Sequence, residues 1–268
     1  MKILVTNDDG VFAPGIRILA EALSENGHSP VVVAPDRERS SVGHAITLTR
    51  PLRLWNIEGG AYVGGFPVYA CDGTPSDSVV LGLEEVCPKA DLVVSGINRG
   101  PNLADDLTYS GTVSAAMEGH FLGKPALAVS LNCGSSETLH HYDAAASAMV
   151  RILEVLHETI LSNRLLLNVN VPNLSHESIR GFRVTRKGVR KYREKINRLN
   201  DPKGRAYYWI SGKPEDALSP GSDVLAVSEG YVSVTPIHMD MTHFPSIDML
   251  KDRGLESLHL HVMLDKSS

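Results

Sequence analysis

Short, almost continuously apolar runs alternate with stretches of helical periodicity, and this alternation most constrains the fold. Lys2–Thr6, Val31–Ala34, Leu92–Ser95, Ala126–Leu131 and Leu165–Val169 lack the regular polar alternation of a half-solvated strand. Strands of that composition are buried on both faces, as in a parallel sheet with helices on either side. Between them, Pro14–Asn26 places Ile16, Leu19, Ala20 and Leu23 on one helical face, with Pro14 in the first turn and Gly27 as a stop. Thr74–Val86 opens with Thr74 as N-cap and Pro75 at the first position, and Thr112–Leu122 and Tyr142–Leu161 complete the helical set. The expected fold class is α/β, a parallel sheet flanked by helices.

Beyond Pro172 the character changes. From Arg180 to Ser211 the chain is charged and aromatic, with turn signals at Lys187-Gly188 and Asp201-Pro202-Lys203-Gly204, which predicts a protruding hairpin. Compact chain returns over Asp223–Pro236, with a strand pattern at Tyr231-Val-Ser-Val-Thr. The expected division is a core over 1–172 and an appendage over 173–268, with a soft boundary that some C-terminal strands cross. Charge follows this division, since Arg180–Arg205 holds eleven Lys or Arg against two acids in a chain of net charge −5. One basic arm on an acidic protein is not the footprint of a general nucleic-acid binder, so no stable nucleic-acid binding is expected. No apolar run is long enough to span a bilayer, and the N-terminal run is shorter than that of an export signal. Cys71, Cys87 and Cys133 form no CxxC pair, which fits a soluble cytoplasmic protein without disulfides or thiolate zinc.

Asn7-Asp8-Asp9-Gly10 leaves the first strand directly, at the carboxyl edge where open α/β sheets bind ligands. Adjacent carboxylates repel one another unless a cation or proton intervenes. The next helix, starting near Pro14, begins too late for either acid to cap it. Carboxylate oxygens favour a hard ion, Mg²⁺ or Mn²⁺, over zinc, and such an ion needs further oxygens. Two polar loops leave the same edge, Pro35–His44 with Ser40 and Ser95–Asn102 with Asn98, the second expected to continue without regular structure to Ser110. Spacing alone selects no ligand from them. Ser110-Gly111-Thr112 opens a helix with free amides, two hydroxyls and a positive dipole end suited to phosphate, although an ordinary N-cap looks the same.

Taken in order, Asn7-Asp8-Asp9-Gly10 with Pro14-Gly15, Val32–Ser40, Ser95-Gly96-Ile97-Asn98-Arg99-Gly100-Pro101-Asn102 and Ser110–Gly119 resemble the SurE family of survival-protein nucleotidases. Asn168–Pro172 and Glu229–Pro236 extend the likeness almost to the C-terminus. The resemblance implies a Rossmann-like core that hydrolyses 5′- and 3′-nucleoside monophosphates and, in some members, polyphosphate. It implies one divalent metal ion per subunit, Mg²⁺ or Mn²⁺, held by Asp8, Asp9, Ser40 and Asn98. Asn102, Ser110, Gly111 and Thr112 would hold phosphate, and Asp8, Asp9 and Asn98 would serve catalysis. Either Asp8 or Asp9 would accept the proton of the attacking water. A homodimer or homotetramer is also implied, with the hairpin and C-terminal segment exchanged between subunits. The family's Asp-x-Thr-x-His pattern is one residue short at Asp240-Met-Thr-His243, which leaves the role of His243 open.

Two other functions make different demands. A Mg²⁺-dependent phosphoacceptor of the receiver type needs an Asp ending a later strand, whereas Asp91 begins one and Asp36 follows Pro35. A non-catalytic dinucleotide-binding module needs Gly-x-Gly-x-x-Gly, which the turn from Asp8 to Gly15 lacks. His140-His141 have no third donor nearby in sequence and read as surface residues, and His259 and His261 as structural ones.

Overall fold

A computed structural model describes residues 1–59, 62–134, 136–193, 196–210 and 212–258. His259 and His261 lie outside the described residues. The chain forms two compact units, Met1–Ile237 and His238–Ser268. Among the described residues no helix is long and apolar enough to cross a membrane.

The strands in chain order are β1 (Lys2–Thr6), β2 (Ser29–Pro35), β3 (Leu54–Asn56), β4 (Val68–Cys71), β5 (Leu92–Arg99), β6 (Ala126–Asn132), β7 (Leu166–Pro172), β8 (Phe182–Val184), β9 (Arg190–Arg193), β10 (Ile196–Asn200), β11 (Ala206–Ile210), β12 (Lys213–Asp216) and β13 (Val232–Ile237). The helices of the first unit are α1 (Pro14–Glu25), α2 (Pro75–Leu81), α3 (Gly111–Phe121), α4 (Tyr142–Asn163) and α5 (Asp223–Ser228). α2 runs on into a π-helical turn, Gly82–Val86. The second unit holds α6 (Phe244–Asp252), with His243 at its N-cap and bonded through Nδ1 to Ser246 Oγ at 2.5 Å.

Nine strands form one sheet in the order β3-β4-β2-β1-β5-β6-β7-β13-β8. From β4 to β7 all neighbours run parallel. β3 and β13 are antiparallel to β4 and β7, and β8 runs parallel to β13. The mostly parallel α/β architecture expected from the apolar runs is therefore present. β3, β4 and β8 span only three or four residues each, too few for a sequence period to register. β5 continues past Ser95 to Arg99, with an irregularity in its pairing to β6 between Ser95 and Asn98. Where no regular structure was expected, Ala104–Thr108 forms a 3₁₀ helix.

α1 and α4 pack together on one sheet face, and α2 and α3 on the other. Ile3, Val5, Leu92, Val94, Leu127 and Val129 of the central strands are fully buried with Met149 of α4. From β1 the chain moves outward to β2 and β4, then crosses back to β5 on the other flank of β1. That reversal opens a crevice between the carboxyl ends of β1 and β5, the ligand position of open α/β sheets.

The arm is a β10–β11 hairpin closed at 201–205 above the β9–β12 pair. Every residue of β10 and β11 is exposed. Lys187-Gly188, read as a turn, is instead where the arm is tied down. The Gly188 amide donates to Asp223 Oδ1 at 2.8 Å, and the other oxygen of this buried carboxylate accepts the Ala104 amide at 2.9 Å. Arg190 bridges Asp216, at 2.6 Å and 2.8 Å, and Asp106, at 2.7 Å. The arm's base is thus coupled to the 3₁₀ helix that leads to Ser110.

Candidate active site

The chain turns as soon as β1 ends. Asn7, buried, accepts the Gly10 amide through Oδ1 at 3.1 Å and donates to the Gly10 carbonyl at 3.0 Å. This closed turn holds Asp8 and Asp9 at the β1–β5 crevice. Gly10 has φ +99°, and a Cβ there would meet the Arg37 backbone at 2.9 Å, so the turn admits only glycine.

Asp8 is 4% exposed. Its Oδ1 accepts the Thr112 hydroxyl. Gly111 approaches so closely that a Cβ would lie 2.8 Å from both Asp8 Cβ and Oδ2. Ser110 caps the same helix end, its Oγ accepting the Val113 amide at 3.1 Å. The sequence excluded Asp8 as a cap for the helix next in order. The fold instead delivers it to the amino end of α3, 104 residues away in the chain. Burial pushes the Asp8 pKa up to about 6; the Thr112 hydroxyl and amide oppose the shift, and the charge of Asp9 reinforces it.

Asp9 is half-buried and accepts the Arg99 amide through Oδ2 at 2.9 Å, so the last residue of β5 orients it. Burial raises its pKa as well, against the Arg99 amide and charge. Asn98 donates through Nδ2 to the Gly100 carbonyl at 2.9 Å, which turns its Oδ1 the other way. Ser40 is exposed and donates to Glu38 at 2.7 Å. Its loop is pinned on both sides. The Arg39 amide donates to the Asp8 carbonyl at 2.7 Å, and His44 meets Glu118 of α3 at 2.7 Å. The capping box of α2 holds the far end, with Thr74 Oγ1 donating to the Ala45 carbonyl at 2.7 Å and Asp77 Oδ1 accepting the Thr47 amide at 2.9 Å.

Asn102 belongs to a buried network beside the crevice. Its amide N–H donates to Asn170 Oδ1 at 2.9 Å and its Nδ2 to Ser130 Oγ at 2.7 Å, while its carbonyl accepts Asn168 and Asn170 at 2.8 Å and 3.0 Å. Sequence reasoning assigned no role to Ser130, Asn168 or Asn170. The available signal was two asparagines at alternate positions of an otherwise apolar strand, hence on one face.

The Asp8 and Asp9 carboxylates and the Asn98 carbonyl are oxygen donors on these turns, while the Ser40 hydroxyl is engaged with Glu38. Such a set fits Mg²⁺ or Mn²⁺. Among the described residues no group of three or more His, Cys, Asp or Glu could hold a metal ion, so a cation here depends on the neutral oxygens. Beside Asp9 opens a cleft of about 380 Å³ whose lining includes Phe12, Arg37, Arg99, His140 and Tyr142. His140, read from sequence as a surface residue, lies in this lining because α4 packs beside α1. Burial, and secondarily the Asp9 charge, raises the Tyr142 pKa to about 12.

The family model described as survival protein SurE matches residues 3–194. The 5′-nucleotidase SurE of Gloeobacter violaceus is 47% identical over 96% of this chain and 97% of its own. That of Geobacter metallireducens is 51% identical over 94% and 96%. The 5′/3′-nucleotidase SurE of Photorhabdus laumondii is 49% identical over 94% and 95%. The crystal structure of the SurE protein from Aquifex aeolicus superposes with a TM-score of 0.81 at 42% identity, covering 95% of this chain and 100% of that one.

Proposed function

The chain belongs to the SurE family, and from that premise we propose that it is a 5′-nucleotidase acting with one Mg²⁺ or Mn²⁺ held by Asp8, Asp9, Ser40 and Asn98. The reaction is hydrolysis of a nucleoside monophosphate to nucleoside and phosphate. A relative named for both positions supports including 3′-monophosphates. One observation carries the reading: a buried carboxyl, Asp8, pressed against the amino end of α3 at the sheet's reversal point.

Each residue has a task in this scheme. The first turn of α3 receives the phosphoryl oxygens, where its dipole end and the Ser110-Gly111-Thr112 backbone favour negative charge. Asn98 Oδ1 and the two carboxylates would hold the cation, which when bound would supply positive charge for the phosphoryl group and acidify water. Thr112 fixes the Asp8 rotamer, and the Arg99 amide fixes that of Asp9. The arrangement favours Asp9 as proton acceptor, because it lines the open cleft while Asp8 is enclosed. Water then attacks phosphorus as its proton passes to Asp9, and the bond from phosphorus to the ester oxygen breaks, that oxygen taking a proton from solvent to leave as the nucleoside. Asn102, with its Nδ2 on Ser130, braces the chain that follows Asn98 at the end of β5.

The test is phosphate release from AMP by wild type and Asp9→Asn, with Mg²⁺, Mn²⁺ or EDTA. Release that requires the cation and falls at least about 100-fold in Asp9→Asn supports the scheme, a loss typical of a deleted acid–base group. Undiminished release in EDTA would sink the metal assignment.

A further inference from the structure

The cleft beside Asp9 points beyond the reacting phosphate. Asp9 lines this cleft, so the cleft is the open path for the organic part of an ester whose phosphate is held at the Asp8-Asp9 turn. Phe12 stands on that path, 66% exposed on the loop between the Asp8-Asp9 turn and α1. Arg99 holds Asp9 through its backbone, while its guanidinium makes no hydrogen bond among the described residues. Arg37, by contrast, is paired with Asp36 at 3.1 Å. His140 lines the same cleft, next to the buried Tyr142.

An exposed aromatic ring and a guanidinium free of hydrogen bonds, held beside Asp9 by charge alone, are groups that stack on a flat heterocycle. A cleft of about 380 Å³ falls within the range of small-molecule sites. We propose that this cleft is the nucleoside subsite, with Phe12 as the stacking surface for the base and Arg99 as a second contact to base or sugar. The proposal rests on the nucleotidase reading and adds to it where selectivity for a nucleoside over a plain phosphate ester arises.

The experiment compares AMP with β-glycerophosphate, which has no ring, in wild type, Phe12→Ala, Phe12→Tyr and Arg99→Met. Stacking of about 1–3 kcal/mol per base leads us to expect KM for AMP to rise on the order of tenfold in Phe12→Ala, with kcat nearly unchanged. β-Glycerophosphate should show no matching rise in KM, and Phe12→Tyr should restore AMP binding. Equilibrium dialysis of adenosine supplies a readout free of turnover, with weaker binding to Phe12→Ala as the expected result. Equal losses on both esters, or adenosine binding that is absent or unaltered by Phe12→Ala, would overturn the subsite. If wild type hydrolyses neither ester the phosphatase reading fails, while the dialysis still decides the cleft.

Discussion

Asp8 concentrates the opposition between stability and activity. Its pKa rises on folding from an ordinary 3.8 to about 6, so the folded state holds this proton more tightly than the unfolded chain does. The contribution to stability is full below the unfolded value and is lost as pH rises through about 6. A shift of roughly two units corresponds to a cost on the order of 3 kcal/mol at neutral pH. Metal-free Asp8→Asn is therefore expected to be more stable than wild type at pH 7.5, by up to roughly that amount, and equal to it near pH 4. Urea denaturation in EDTA at both pH values checks this; a variant less stable at pH 7.5 would refute the account. Gly111 makes a second residue-scale case. A methyl at this position would press on Asp8 at 2.8 Å, so Gly111→Ala should lose about 1–3 kcal/mol and most of its activity. Circular-dichroism melts together with phosphate release would measure both effects.

At the scale of elements, the arm and the site share the 3₁₀ helix Ala104–Thr108. Arg190, its side chain only 7% exposed, is held between Asp106 and Asp216. Tyr192 adds a bond to Asp106 at 2.7 Å, and Lys187 pairs with Asp105. Arg190→Ala leaves two acids without their cation, and the expected loss is about 3 kcal/mol. Hydrogen exchange should then speed up at the amides of 104–112 more than in β6. Uniform change across the chain would instead mean that the arm and this loop are not coupled. The hairpin itself has Ile196 and Leu199 on β10 and Trp209 and Ile210 on β11, all exposed. A solvated two-stranded hairpin is marginal by itself, and exposed apolar groups of this kind mark association surfaces. The wild-type chain is expected to run as a dimer or larger in light scattering, and Trp209→Asp with Ile210→Asp to reduce that mass.

For the molecule as a whole, the proposed scheme links cation binding to folding. A ligand at 100 times its dissociation constant stabilises the fold by about 2.7 kcal/mol, which for a chain of this size raises Tm by roughly 5–10 °C. Mn²⁺ is expected to produce such a shift in wild type and EDTA to reverse it. Asp8→Asn should show neither, because its enclosed donor is no longer a carboxylate. Affinity for the cation should also weaken as pH falls below about 6, since the proton on Asp8 competes.

Much of this organisation is encoded locally. Buried parallel strands appear as apolar runs, and helix starts appear as Thr74-Pro75 or Pro14, because burial and capping act over a few residues. The Asp8-Asp9 turn was legible for the same reason: it follows directly on a strand whose direction fixes the edge it reaches. Other features depended on the order of strands. That order places Arg99 over Asp9 and Thr112 against Asp8, partners 90 and 104 residues apart. It also sets Asn102 on Ser130 and Asn170, and brings His140 into the cleft. No local propensity carries such information, because these contacts follow from which strands pair and which helices cover them. The sequence by itself determined the layers, the carboxylate pair and the sheet edge they occupy. Only the tertiary structure decided which helix end meets Asp8, how far its proton is held, and what lines the space beside Asp9, because burial and electrostatic environment are properties of packed neighbours distant in the chain.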